Sequence, residues 1–144
     1  MADENVDKNV KPMREERGRI NGDVVIYERY TLWGTIHGFV RVLDGGKFWQ
    51  RGNVQGDMTV EYGGRVHIFG NLTGDLFVAR GAKVIVSGTV GGAATNDGGR
   101  LYIEPEGNVL GKINTKRGDT KVRDDLHFAG DDLAAYKPRK KEQQ

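Results

Sequence analysis

The chain has 144 residues, enough for one domain of ordinary size, with 22 glycines, three prolines and no cysteine. The lack of thiols excludes disulfides, thiolate metal sites and cysteine nucleophiles, and no apolar run nears the roughly 20 residues of a membrane-spanning helix. The formal charge of +2 belongs to the tail: Lys137, Arg139, Lys140 and Lys141 stand against Glu142, and removing them from 22 basic and 20 acidic residues leaves 18 against 19, a net of −1.

Taken in chain order, residues 1–17 are charged and aperiodic, as a disordered segment or one laid over the first repeat would be. They lack the basic-then-apolar order of a signal peptide, so the expected location is the cytoplasm. From Gly18 one phrase recurs six times, Gly-x-(Ile/Val/Leu)-x-Gly, starting at Gly18, Gly34, Gly52, Gly70, Gly88 and Gly107. The starts are 16, 18, 18, 18 and 19 residues apart. Such a period marks a solenoid, in which each repeat buries its apolar face only against its neighbours.

Every sixth residue from Val24 to Val90 is large and apolar or aromatic, so three inward positions fit in one 18-residue coil. Within a face the apolar residues lie two apart, as in Val40/Val42, Val66/Ile68 and Val84/Val86, which is strand alternation. The expected fold is therefore all-β: a single-stranded triangular β-helix of five to six coils over residues 18–113. Gly45-Gly46, Gly63-Gly64 and Gly98-Gly99 fall at one corner, where the backbone is expected to need a conformation that a Cβ disfavours. Asn53, Asn71 and Asn108 recur after the first glycine of the phrase and read as a second set of corner residues. The first coil is two residues short near Tyr27-Glu28, and the last gains two around Glu104-Pro105-Glu106, where proline demands a corner or an exposed edge. Gln50 stands where Leu32, Ile68 and Val86 point inward, which requires a displaced coil or a buried partner for the amide.

Residues 114–144 leave the period. Asp124–Phe128 and Asp131–Tyr136 each place acids ahead of apolar residues, as short helix starts do, and the segment either caps the last coil or hangs free. Its basic end is a solvated terminus or a weak polyanion contact.

Aligned coils place one outward column as Arg29, Lys47, Arg65, Lys83 and Arg100. Beside it run Thr31, Trp49, His67, Ile85 and Tyr102, then Trp33, Arg51, Phe69 and Ser87. Stacked like charges repel at ladder distance. Either Asp23, Asp57, Asp75, Glu28 and Glu61 neutralise the basic column, or the face binds a polyanion or a protein partner through charge and aromatic surface. The two ends pose a separate question. Ile20, Val24 and Ile26 at one, with Val109 and Ile113 at the other, must meet water, a cap or another subunit. The three histidines, His37, His67 and His127, fall in different columns or in the tail, and no metal-ligand, triad or phosphate-loop spacing stands out. No cofactor is expected and catalysis is disfavoured.

The run Gly52-Asn-Val-Gln-Gly-Asp-Met-Thr-Val-Glu-Tyr-Gly-Gly-Arg-Val-His-Ile-Phe-Gly70, repeated as Gly70-Asn-Leu-Thr-Gly-Asp-Leu-Phe-Val-Ala-Arg-Gly-Ala-Lys-Val-Ile-Val-Ser-Gly88, resembles the bactofilins, bacterial polymer-forming cytoskeletal proteins. The resemblance covers about residues 18–113. It implies a right-handed β-helix that joins end to end into nucleotide-free filaments scaffolding cell-shape or envelope proteins. Some bactofilins carry an apolar N-terminal membrane-targeting stretch. Here that segment is charged throughout, so any membrane association is expected to come through partners.

Overall fold

Valine, isoleucine and leucine at alternate positions suit a pleated backbone. In the structure, a computed structural model that describes residues 14–123, every short apolar run forms a strand. The first face carries β1 (Arg14–Glu16), β4 (Arg29–Leu32), β7 (Lys47–Gln50), β10 (Arg65–Ile68) and β13 (Lys83–Val86). The second carries β2 (Arg19–Asn21), β5 (Thr35–His37), β8 (Asn53–Gln55), β11 (Asn71–Leu72), β14 (Thr89–Val90) and β16 (Asn108–Val109). On the third lie β3 (Val24–Ile26), β6 (Val40–Val42), β9 (Met58–Val60) and β12 (Leu76–Ala79). Two longer strands, β15 (Ala94–Ile103) and β17 (Ile113–Val122), turn a corner, with their first halves on the third face and their second halves on the first.

All the pairings between described strands are parallel, and each strand lies one coil from its partner. In the middle of the chain Lys47 faces Arg65 and Arg65 faces Lys83, a register of 18 residues. The short first coil pairs Val24 with Val40, and the register reaches 18 only after Tyr27-Glu28. The fold is thus the expected triangular solenoid of about six turns.

The interior is three sets of stacked columns. Ile36, Val42, Phe48, Val54, Val60, Leu72, Val78, Val84 and Val90 are fully buried or nearly so. Each such side chain gains about 1.5–3 kcal/mol by leaving water. Gln50 sits among them, fully buried and in register with Leu32 and Ile68. Its Nε2 donates to the carbonyls of Gly52 at 3.1 Å and Asn71 at 2.8 Å, so the coil is not displaced.

The corners behave as their glycines predict, with one correction. Gly45, Gly63, Gly81 and Gly98 have φ between +81° and +109°, the left-handed region that a Cβ disfavours. The asparagine column does something else. No described residue other than glycine has positive φ, and Asn53, Asn71 and Asn108 lie inside β8, β11 and β16. There Asn71 Nδ2 donates to Asn53 Oδ1 at 3.2 Å, while Thr89 stands between Asn71 and Asn108.

The ladder also runs past the repeat at both ends. β1 pairs with β4 before Gly18, and β17 continues to Val122 on top of β15. Apolar spacing does not reveal these strands, because their places in the interior columns are held by Arg14 and Glu16 in β1 and by Thr115 and Thr120 in β17. Backbone pairing needs no apolar side chain. The acidic starts at Asp124 and Asp131 and the tail cations Lys137, Arg139, Lys140 and Lys141 lie outside the described residues.

Candidate functional site

The first face holds the densest chemistry. Strand alternation sends Phe48, Val66 and Val84 inward and so turns their neighbours Lys47, Arg65 and Lys83 to the surface. Register then aligns Arg29, Lys47, Arg65, Lys83 and Arg100 in one row, closed at its far end by Asp119. Adjacent members are about 4.8 Å apart along the axis.

The acids expected to neutralise this row are engaged elsewhere. Asp23, Asp57 and Asp75 accept backbone N–H groups of the next coil, from Phe39 at 3.0 Å, Asp75 at 2.8 Å and Ala93 at 2.9 Å. Glu61 pairs with Arg41 at 2.7 Å on the third face, and Glu28 with Arg14 at 3.2 Å. Among the described residues, Lys47, Arg65, Lys83 and Arg100 have no carboxylate oxygen within 4.0 Å.

Two further columns flank the row. Lys47, Trp49, Arg65, His67, Lys83 and Ile85 line a shallow groove of about 210 Å³. At the next corner, cations alternate with rings: Arg17 and Arg51 lie 5.1 and 5.3 Å from the centre of Trp33, and Arg51 lies 4.4 Å from that of Phe69. Phe69 also stacks on His67, with centroids 3.9 Å apart. The sequence columns brought Trp33, Trp49 and Phe69 to this side, but the insertion of arginine between rings is a side-chain arrangement that spacing alone does not contain.

His67 reaches Ser87 Oγ at 2.9 Å through Nε2. Burial holds its imidazole below the ordinary value, assisted by Arg51 and opposed by Glu104 and Glu106. The unfolded chain therefore takes up this proton first as pH falls. Stability is expected to decline on acidification below about pH 6.5, down to the lower folded value. His67→Gln should flatten that part of the profile, which urea midpoints across the acid range would measure.

His37 lies on the second face in β5, away from His67 on the first, and His127 is outside the described residues. Among the described residues no group of three or more histidines and carboxylates is placed to hold a metal ion, and no helix is long and apolar enough to cross a membrane.

The ends form the second candidate site. Ile20 and Val24 at one and Val109 and Ile113 at the other are half-buried and pack against the core, whereas Ile26 is fully covered and belongs to the interior. Val122 joins the far end, unforeseen by the repeat. That end is also partly polar. Asn96 is fully buried at the register of Val78; its Nδ2 donates to the Gly99 and Asp119 carbonyls and to Thr120 Oγ1, and its Oδ1 accepts from Gly99 N–H at 2.8 Å. Coil alignment would have exposed this asparagine, which stands in the column of Val60 and Val78.

In comparisons with known proteins, no family model, no curated protein and no solved structure matches this chain.

Proposed function

We propose that this protein is a nucleotide-independent cytoskeletal scaffold that polymerises end to end through its terminal coils, as its resemblance to bactofilins implies. The observation that supports it is a repeated cross-section with half-buried apolar residues at both ends of the described solenoid. Among the described residues β2 and β16 are the outer strands of their sheet, each paired on one side, and they carry Ile20 and Val109, with Val24 and Ile113 in the neighbouring β3 and β17. An unpaired parallel edge over an apolar interior is a template for another strand. In this reading the partners are further copies of the chain and envelope or cell-shape proteins, in the cytoplasm.

The strand count bears on how copies join. Among the described residues the first face has seven strands, counting the second halves of β15 and β17, and the other two faces have six. Seating Ile20 on Val109 and Val24 on Ile113 head to tail would make β1 of one copy collide with the end of β17 in the next. A two-fold joint between like ends avoids this, because it sets the longer face of one copy against a shorter face of the other.

Electron microscopy of the full chain tests the proposal, with filaments as the expected result. Ile113→Lys or Ile20→Lys should each stop growth while leaving the β-rich spectrum intact. With like-end joints each single variant still pairs through its intact end and sediments as a dimer. Head-to-tail joints would leave monomers, since every joint then needs both residues. A native chain that stays monomeric at high concentration would overturn the scaffold.

A further inference from the structure

Among the described residues some cations are matched, Arg41 by Glu61, Arg117 by Asp97 at 3.0 Å and Arg123 by Glu104 at 3.5 Å. Others are not, and four of these, Lys47, Arg65, Lys83 and Arg100, stack on successive coils of the first face. Stacked like charges work against the ladder that aligns them, and one acidic residue per second coil would relieve them, yet Lys47, Arg65, Lys83 and Arg100 follow one another without interruption. We propose that this row binds an anionic glycan lying along the solenoid axis, about one acidic group to each coil.

The shape of the site favours that occupant. The charges form a single file, whereas a bilayer presents a two-dimensional field to which a patch would be better matched. A single-stranded nucleic acid needs a run of open ring faces on which bases stack. Here Trp33 is occupied by Arg17 and Arg51, Phe69 by Arg51 and His67, and Tyr102 by Lys83 at 5.9 Å. Trp49 alone remains among the described aromatic residues of these columns. A glycan asks for less: successive sugars advance by about one coil spacing, so sulfates or carboxylates meet successive cations. Half-buried Trp49 and Ile85 beside the row offer apolar surface to the C–H faces of the rings.

The test titrates the full-length protein with a heparin-type sulfated hexasaccharide by calorimetry over a salt series. Four cation contacts predict that affinity falls about 50-fold between about 50 and 200 mM salt, on the slope for single-stranded polyanions. In K47Q/R65Q, with an unchanged circular dichroism spectrum, binding should weaken and the same salt step should cost only about 7-fold. Arg41→Gln, on the third face, should bind like the wild type. Unchanged binding by K47Q/R65Q would overturn the proposal. So would loss confined to a variant with Lys137, Arg139, Lys140 and Lys141 all changed to Gln, which would move the activity to the tail. Tighter binding to an oligothymidylate of equal charge, or retention only by anionic vesicles, would assign the face to nucleic acid or membrane instead. Arg41, Lys47 and Arg65 lie in β6, β7 and β10, away from the terminal coils, so the outcome at these positions is independent of filament growth.

Discussion

Val66→Asp is expected to abolish the fold. Val66 is 4% exposed, inside the column that runs from Tyr30 through Phe48 to Val84 and Leu101, and no cation is positioned there to receive a carboxylate. An unpaired buried charge costs several kcal/mol, a large part of the roughly 5–15 kcal/mol that holds a domain together. The loss should spread, because each coil is stabilised mainly by its two neighbours. Thr59→Asp is the matched control. Thr59 occupies an outward position of β9 between Arg41 and Phe77, and its replacement should change the urea midpoint only slightly. A β-rich spectrum and cooperative melting in Val66→Asp would contradict the assigned interior.

The second large effect is expected at a glycine that opens one of the six repeated phrases. A Cβ on Gly70 would fall on the carbonyl oxygen of Gly52 and within 2.8 Å of that of Arg51, both backbone atoms of the preceding coil. Gly52 and Gly88 meet the preceding coil in the same way. Relief requires one coil to move against the next, so Gly70→Ala should cost at least about 3 kcal/mol and lower the melting temperature by ~10 °C or more. Gly45→Ala is a useful contrast. Its φ of +90° is unfavourable, but the nearest atom to an added Cβ is the Tyr27 oxygen at 3.3 Å. The expected cost there is about 1–2 kcal/mol. A reversed order would mean that corner geometry, not coil-to-coil contact, selects these glycines.

The interior was legible because one rule, a large apolar residue every sixth position, acts identically in every coil. Val42, Phe48, Val60, Val66 and Val84 follow it and are buried. The surface rows were legible for the same reason, since a fixed period turns alignment into adjacency. What escaped obeys no period. β1 and β17 extend the ladder with Arg14, Glu16, Thr115 and Thr120 in the columns, and main-chain pairing leaves no trace in an apolar pattern. The roles of Asp23, Asp57 and Asp75 escaped too. A carboxylate beside a cation column suggests an ion pair, but a corner one coil away presents a backbone N–H at hydrogen-bond distance, and that geometry decides.

The 18-residue register between β7, β10 and β13 also makes the chain a ruler. A duplication of one such unit would add a single rung, lengthen the rod by about 4.8 Å and return the backbone to the same face in the same orientation. Neither end would change, and every outward column would gain one member. A coil of another length absorbs the difference at a corner, as the first does with 16 residues from Val24 to Val40 and the last with 19 from Ala94 to Ile113. Length can therefore be edited independently of both termini, one coil at a time.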